Sequence, residues 1–161
     1  MIPVDAIERM KLEARCLSGA RWFYWIAALS LITSIISLSG SRFGFIVSLG
    51  VTQLVDGLAN GAASGGSSAP KVVAIVFDVM AVGLFALVGY FASKRLAWVF
   101  IAGMAIYLLD GLIFLLVRDW LGIAFHAFVL YSIFGGYQAC VKLNALEREG
   151  SMSTSAQDAP R

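Results

Sequence analysis

Apolar residues run through the chain in four long stretches, 22–40, 72–92, 96–117 and 120–143, each interrupted only by isolated polar positions. About 20 residues rising ~1.5 Å each cross a ~30 Å hydrocarbon core, so every one of these stretches predicts a membrane-spanning helix. The stretch 43–60 is patterned differently. Ser48, Thr52, Asp56 and Asn60 recur every four residues on one face, with Gln53 beside them, opposite Phe45, Ile46, Leu49, Val51 and Leu58. Its uninterrupted apolar part is short for a crossing, which predicts an amphipathic or re-entrant helix at the membrane face. A fifth span is the alternative.

Polar segments punctuate the pattern. Residues 61–70 (GAASGGSSAP) are Gly/Ser/Ala-rich and predict a flexible loop. Ser93, Lys94 and Arg95 form one tight turn, and Arg118 and Asp119 another. Residues 1–21 are charged and mildly amphipathic. Asp5 and Glu8, just after Pro3, fit a helix-starting capping box, so a short helix on the membrane surface is expected there. Residues 144–161 are small and polar and predict a disordered tail. The expected organisation is thus an N-terminal segment 1–21, a transmembrane bundle 22–143, and a tail 144–161.

Composition fixes the class. Of 161 residues, 60% are hydrophobic and 14% charged, where soluble domains carry about 25% charged residues. Mean hydropathy is +0.84. The fold class expected is all-α: a polytopic membrane bundle of four transmembrane helices plus one amphipathic or re-entrant helix. Its surroundings are the lipid bilayer. The net charge of +2, without a basic stripe interleaved with aromatics, excludes a nucleic-acid binder. Cys16 and Cys140 stand alone, without CxxC spacing, and read as small buried hydrophobes.

Two details refine the helices. Trp22, Phe23, Tyr24 and Trp25 belong at headgroup level, where amphipathic rings collect. Ser30, Thr33, Ser34, Ser37 and Ser41 make one hydroxyl stripe, expected to face other helices rather than acyl chains.

Charge counting chooses the topology. With four spans, Arg9, Lys11, Arg15, Arg21, Lys94, Arg95, Lys142, Arg148 and Arg161 share one side, against Arg42, Lys71 and Arg118. That asymmetry makes both termini cytoplasmic by the positive-inside rule, whereas five spans divide the cations evenly. One feature favours five: residues 54–58 (LVDGL) echo 108–112 (LLDGL), as a duplicated helix pair would.

The candidate chemistry is a set of ionisable groups inside apolar helices, where charge is expensive. Asp78 lies 16 residues before Lys94 and Asp110 lies 16 after it. Asp110 lies 8 before Arg118, and His126 lies 7 after Asp119. Antiparallel helices joined by short turns have equal rise, so Asp78, Asp110 and His126 are expected level in the leaflet of the Arg118 turn, facing the bundle. Small neighbours (Ala74 and Ala81; Gly103; Gly122) let the backbones approach. Asp56 is a further candidate for the cluster, from the same side. His126 is the natural partner for a buried carboxyl.

The preferred reading of this cluster is interhelical packing, in a structural, accessory or oligomeric membrane component. Proton- or cation-coupled transport through Asp78, Asp110 and His126 is the alternative. A metal site of these three residues has no supporting spacing motif, so no metal is assigned. GxSxG, HExxH, Walker A and dinucleotide fingerprints are missing from the sequence, so neither catalytic residues nor a cofactor is assigned, and an enzyme is not expected. A homo-oligomer or a membrane-protein partner is the expected assembly.

The run LDGLIFLLVRDWLGIAFHAF, with ARWFYWIAALSLI near the start, resembles short multi-pass membrane proteins of bacteria. The likeness rests on Asp110-Gly111, Asp119-Trp120 and Phe125-His126. It implies a bacterial cytoplasmic (inner) membrane and a compact helical bundle, and brings no activity with it.

Overall fold

In a chain this apolar, backbone N–H and C=O groups must find partners within their own segment, and helices do that. The computed structural model describes residues 4–38, 50–63, 69–116 and 118–157. They form five helices: α1 (Val4–Leu38), α2 (Gly50–Ala63), α3 (Ala69–Ser93), α4 (Ala97–Leu116) and α5 (Trp120–Gln157). There is no strand among the described residues, and the fold is an all-α bundle.

Four helices, α1, α3, α4 and α5, are long and apolar enough to cross a membrane. α2 has 14 residues, about 21 Å of helix, which is short of a ~30 Å core. Among the described residues, then, four helices are long enough to span and one is shorter, as the four-span architecture expects. The first residues of the amphipathic stretch, 43–49, lie outside the described residues.

Two boundaries differ from expectation. α1 runs unbroken for 35 residues, so 4–21 is the first part of the first long helix and not a separate surface helix. Its only internal glycine, Gly19, faces α5 rather than breaking the helix. α5 continues to Gln157, through most of the 144–161 stretch read as disordered. The sequence there is polar, but the helix is already nucleated by the apolar turns before it, and elongation is far easier than nucleation.

α1 is the central helix, packed on both α3 and α5, while α4 packs mainly on α5. The α1–α5 crossing is close. A Cβ placed on Gly19 would come within 2.6 Å of the Gly136 Cα, and one on Gly136 within 2.5 Å of the Gly19 Cα. Two glycines face to face let the backbones touch, the packing that substitutes for a hydrophobic drive in lipid. Around this seam Cys16, Ala20, Phe23, Ala139 and Cys140 are buried. Phe23 meets Phe100 of α4 at 6.0 Å.

The hydroxyl stripe faces inward, as its pattern predicts. Ser30, Thr33 and Ser34 are buried. Thr33 Oγ1 donates to Leu29 O at 3.0 Å, and Ser34 Oγ to Ser30 O at 3.1 Å. The Ser37 side chain and Ser41 lie outside the described set. Tyr90 and Trp98, within five residues of Arg95, are exposed, as an aromatic belt would be. The 22–25 cluster differs from expectation: Phe23 is buried in the core, and Trp25, though exposed, stands 12 residues along α1 from the Arg95 partner Glu13, about 18 Å further into the bundle.

Both inter-span turns rest on an arginine in the left-handed region, Arg95 (φ 64°) and Arg118 (φ 57°). At the second, Asp119 N donates to Phe114 O at 3.0 Å and Arg118 N to Leu115 O at 3.3 Å. These two bonds close a Schellman motif on α4. Asp119 then caps α5, its Oδ1 accepting from Leu121 N and Gly122 N, both at 3.2 Å. At the first turn, Arg95 O accepts from Asn144 Nδ2 at 3.1 Å. The Arg95 guanidinium bridges Glu13 of α1 and Glu147 of α5, the latter at 2.6 Å. Burial alone would lower the Arg95 pKa; the bonds and charges of Glu13 and Glu147 outweigh it and hold the group above its ordinary value.

Candidate functional site

Asp110 sits six residues before Leu116, where α4 ends, and His126 six residues after Trp120, where α5 begins. At ~1.5 Å per residue both lie about 9 Å from their helix ends, so the turn brings them level. They meet: His126 Nε2 is 3.1 Å from Asp110 Oδ2, and both side chains are 4% exposed. His126 Nδ1 is 2.9 Å from Gly122 O. A carbonyl can only accept, so Nδ1 carries a hydrogen. That leaves Nε2 facing the Asp110 carboxyl group.

The other partners of Asp110 come from α2. Gly50 N donates to Oδ2 at 2.8 Å and Val51 N to Oδ1 at 2.9 Å. These are the first two residues of α2, whose N–H groups have no acceptor within their own helix. A carboxylate from α4 thus caps α2 across the tertiary structure, facing the positive end of its dipole. Gly50 is required by this approach, because a Cβ there would stand 2.8 Å from the Phe114 ring and 3.2 Å from Asp110 O.

Aromatic rings fix the imidazole. Tyr107 stacks on it at 4.4 Å with 13° between planes, Phe114 lies at 4.7 Å, and Phe125 meets it edge-on at 6.4 Å. Phe85 of α3 closes the far face of Tyr107 at 6.1 Å. Gly111 leaves room for the ring: a Cβ there would be 3.2 Å from His126 Cδ2.

The sequence-predicted residues divide accordingly. Asp110 and His126 are in contact. Asp78 is buried on α3, 15 residues before Ser93, while Asp110 stands 13 after Ala97, so the two are within about 3 Å of level along their helices. Both ring nitrogens of His126 are engaged by Gly122 and Asp110, so Asp78 is not its imidazole partner. Asp56 belongs to α2, but its side chain lies outside the described set. No group of three or more His, Cys, Asp or Glu side chains that could hold a metal occurs among the described residues.

Sequence reasoning missed the α2 amides, because a backbone donor has no letter of its own. It also missed the stacking of Tyr107 on His126, although Tyr107 shares a helix stripe with Asp110. The available signal was glycine: Gly50, Gly111 and Gly122 each stand where the pair needs clearance.

Fold and site together define an all-α protein with four membrane-spanning helices and a buried Asp–His pair that caps a fifth, shorter helix. No protein-family model matches the sequence, and no significant match was found among curated proteins or solved structures.

Proposed function

We propose that this protein is a structural or accessory component of a bacterial cytoplasmic membrane, assembled as a homo-oligomer or with a membrane-protein partner. The observation that carries this reading is how the Asp110 carboxylate is used. Its contacts hold the start of α2 and His126 of α5 to α4. Buried polar groups spent on one another in this way fix the register of a bundle. The reading assigns the pair no catalytic step.

Orientation follows from charge. Arg9, Lys11, Arg15, Lys94, Arg95, Lys142 and Arg148 gather toward the Arg95 end, while Arg21 stands eight residues past Glu13 on α1, about 12 Å further along, and Lys71 and Arg118 are at the other end. The positive-inside rule favours a cytoplasmic Arg95 end, with both termini there. The resemblance to short multi-pass bacterial proteins supports the same membrane.

One observation favours a second reading, proton- or cation-coupled transport. A buried imidazole in hydrogen-bond contact with a buried carboxyl group is the element such a relay needs. Reconstituted vesicles separate the two. The structural reading expects no pH-driven flux above that of empty vesicles, and an Asp110→Asn variant that loses thermal stability or assembly. A flux carried by the unaltered protein and abolished in a folded Asp110→Asn variant establishes transport instead.

A further inference from the structure

α3 packs on α1 and α2 more than on α4, its neighbour in sequence. Between α3 and α4 this leaves an open-sided cavity of about 390 Å³. That volume falls within the ~300–1,000 Å³ of small-molecule sites. Its walls include Phe77, Met80, Leu84, Leu109 and Ile113, and one lining residue is ionisable, Asp110. Leu84 and Leu109 are also exposed on the outer surface of the bundle, so the cavity borders the region acyl chains occupy.

The geometry points to a binding site for a hydrophobic amine that enters from the lipid, its apolar body between α3 and α4 and its ammonium at Asp110. Two facts set that chemistry. A carboxylate offers about four acceptor positions, and Asp110 uses three, for Gly50 N, Val51 N and His126 Nε2. Among the described residues Asp110 has no fourth donor, and the other residues lining the cavity are apolar, so the complementary ligand brings a donor, preferably a charged one, on an apolar body. A charge-assisted bond to a carboxylate in a low-dielectric site is stronger than a neutral one. This inference is independent of the structural reading above, which concerns only the bonds that Asp110 makes to α2 and His126.

The test is equilibrium binding of radiolabelled n-decylamine to the full chain in lipid nanodiscs, with n-decanol as a competitor of equal length and no charge. The expected result is saturable binding, with decanol competing at least tenfold more weakly than unlabelled decylamine. Leu84→Trp, which fills the cavity from a half-exposed position, should weaken decylamine binding at least tenfold without shifting the unfolding temperature. Asp110→Asn, where it folds, should erase the preference for the amine. The proposal is overturned if decanol and decylamine compete equally in the unaltered protein, which would make the cavity a slot for any acyl chain. Undiminished binding in the Leu84→Trp variant would overturn it too, by placing the ligand elsewhere.

Discussion

Asp110 shows how one side chain can serve several elements. Its replacement by alanine would strand two amides of α2 and one imidazole nitrogen in a dry interior, where each unsatisfied group costs about 1–3 kcal/mol. His126→Ala should destabilise by about 2–4 kcal/mol, through the lost hydrogen bond and the cavity left beneath Tyr107. Because the two residues share one contact, the double variant should cost less than the sum, by about 0.5–3 kcal/mol in a double-mutant cycle. Thermal or denaturant unfolding in detergent measures all three. Strict additivity would mean that the 3.1 Å contact contributes nothing. The glycines make a graded series at the same scale. Gly57 has nothing within 4 Å of an added Cβ, whereas Gly103 would meet Phe23 and Val88 at 2.5–2.7 Å. Gly57→Ala should be neutral or stabilise by up to ~1 kcal/mol, the difference in helix propensity. Gly103→Ala should destabilise by about 1–3 kcal/mol as an overpacked core does.

At the scale of the helix, ends and crossings decide the fold. α4 ends and α5 begins within a turn in which Arg118 takes the left-handed conformation that favours glycine. Arg118→Gly should therefore be tolerated or raise stability by about 1 kcal/mol, the steric cost of that conformation for a side chain. Asp119→Ala should cost about 1 kcal/mol by uncapping α5. Opposite signs at adjacent positions make the pair diagnostic, and unfolding temperatures would show it. A destabilised Arg118→Gly would mean that the Arg118 side chain matters more than its backbone. At the α1–α5 crossing the clash partner is backbone, so Gly136→Val has no flexible side chain to displace. It should separate the helices and lower stability by more than any glycine substitution above, as measured in the same unfolding series.

At the scale of the molecule, α1 and α5 outreach α3 and α4 at one end. Glu13 and Glu147 stand level with the α3–α4 turn through Arg95. The helix on either side of that level, 4–12 and 148–157, projects past the bundle, about 13–15 Å at ~1.5 Å per residue. The ion pairs at this end are partly exposed, with side chains 32% and 47% accessible, so Glu147→Ala should cost no more than about 1 kcal/mol. Orientation is checked by single cysteines at Glu149 and Arg118, with Cys16 and Cys140 buried and unreactive. An impermeant thiol reagent added outside intact cells should label Arg118→Cys and spare Glu149→Cys. The reverse pattern would invert the proposed topology.

The sequence by itself determined the class, the presence of four long apolar helices and the relative level of Asp110 and His126. Those properties are set by apolar run length and by the fixed rise of a helix, both local quantities. Asp110 and His126 share a level because a short turn between equal helices leaves no other arrangement. Tertiary structure decided what depth could not: which faces converge, and so that His126 meets Asp110 while Asp78 is not its imidazole partner. It also decided the role of α2, whose first amides seek an acceptor that is 59 and 60 residues away along the chain. The continuity of α1 and α5 through their polar ends was equally hidden. Composition there argues against order, but each end continues a long apolar helix already paired with its neighbour, and Arg9, donating to Leu146 O at 3.4 Å, ties the N-terminal extension of α1 to α5.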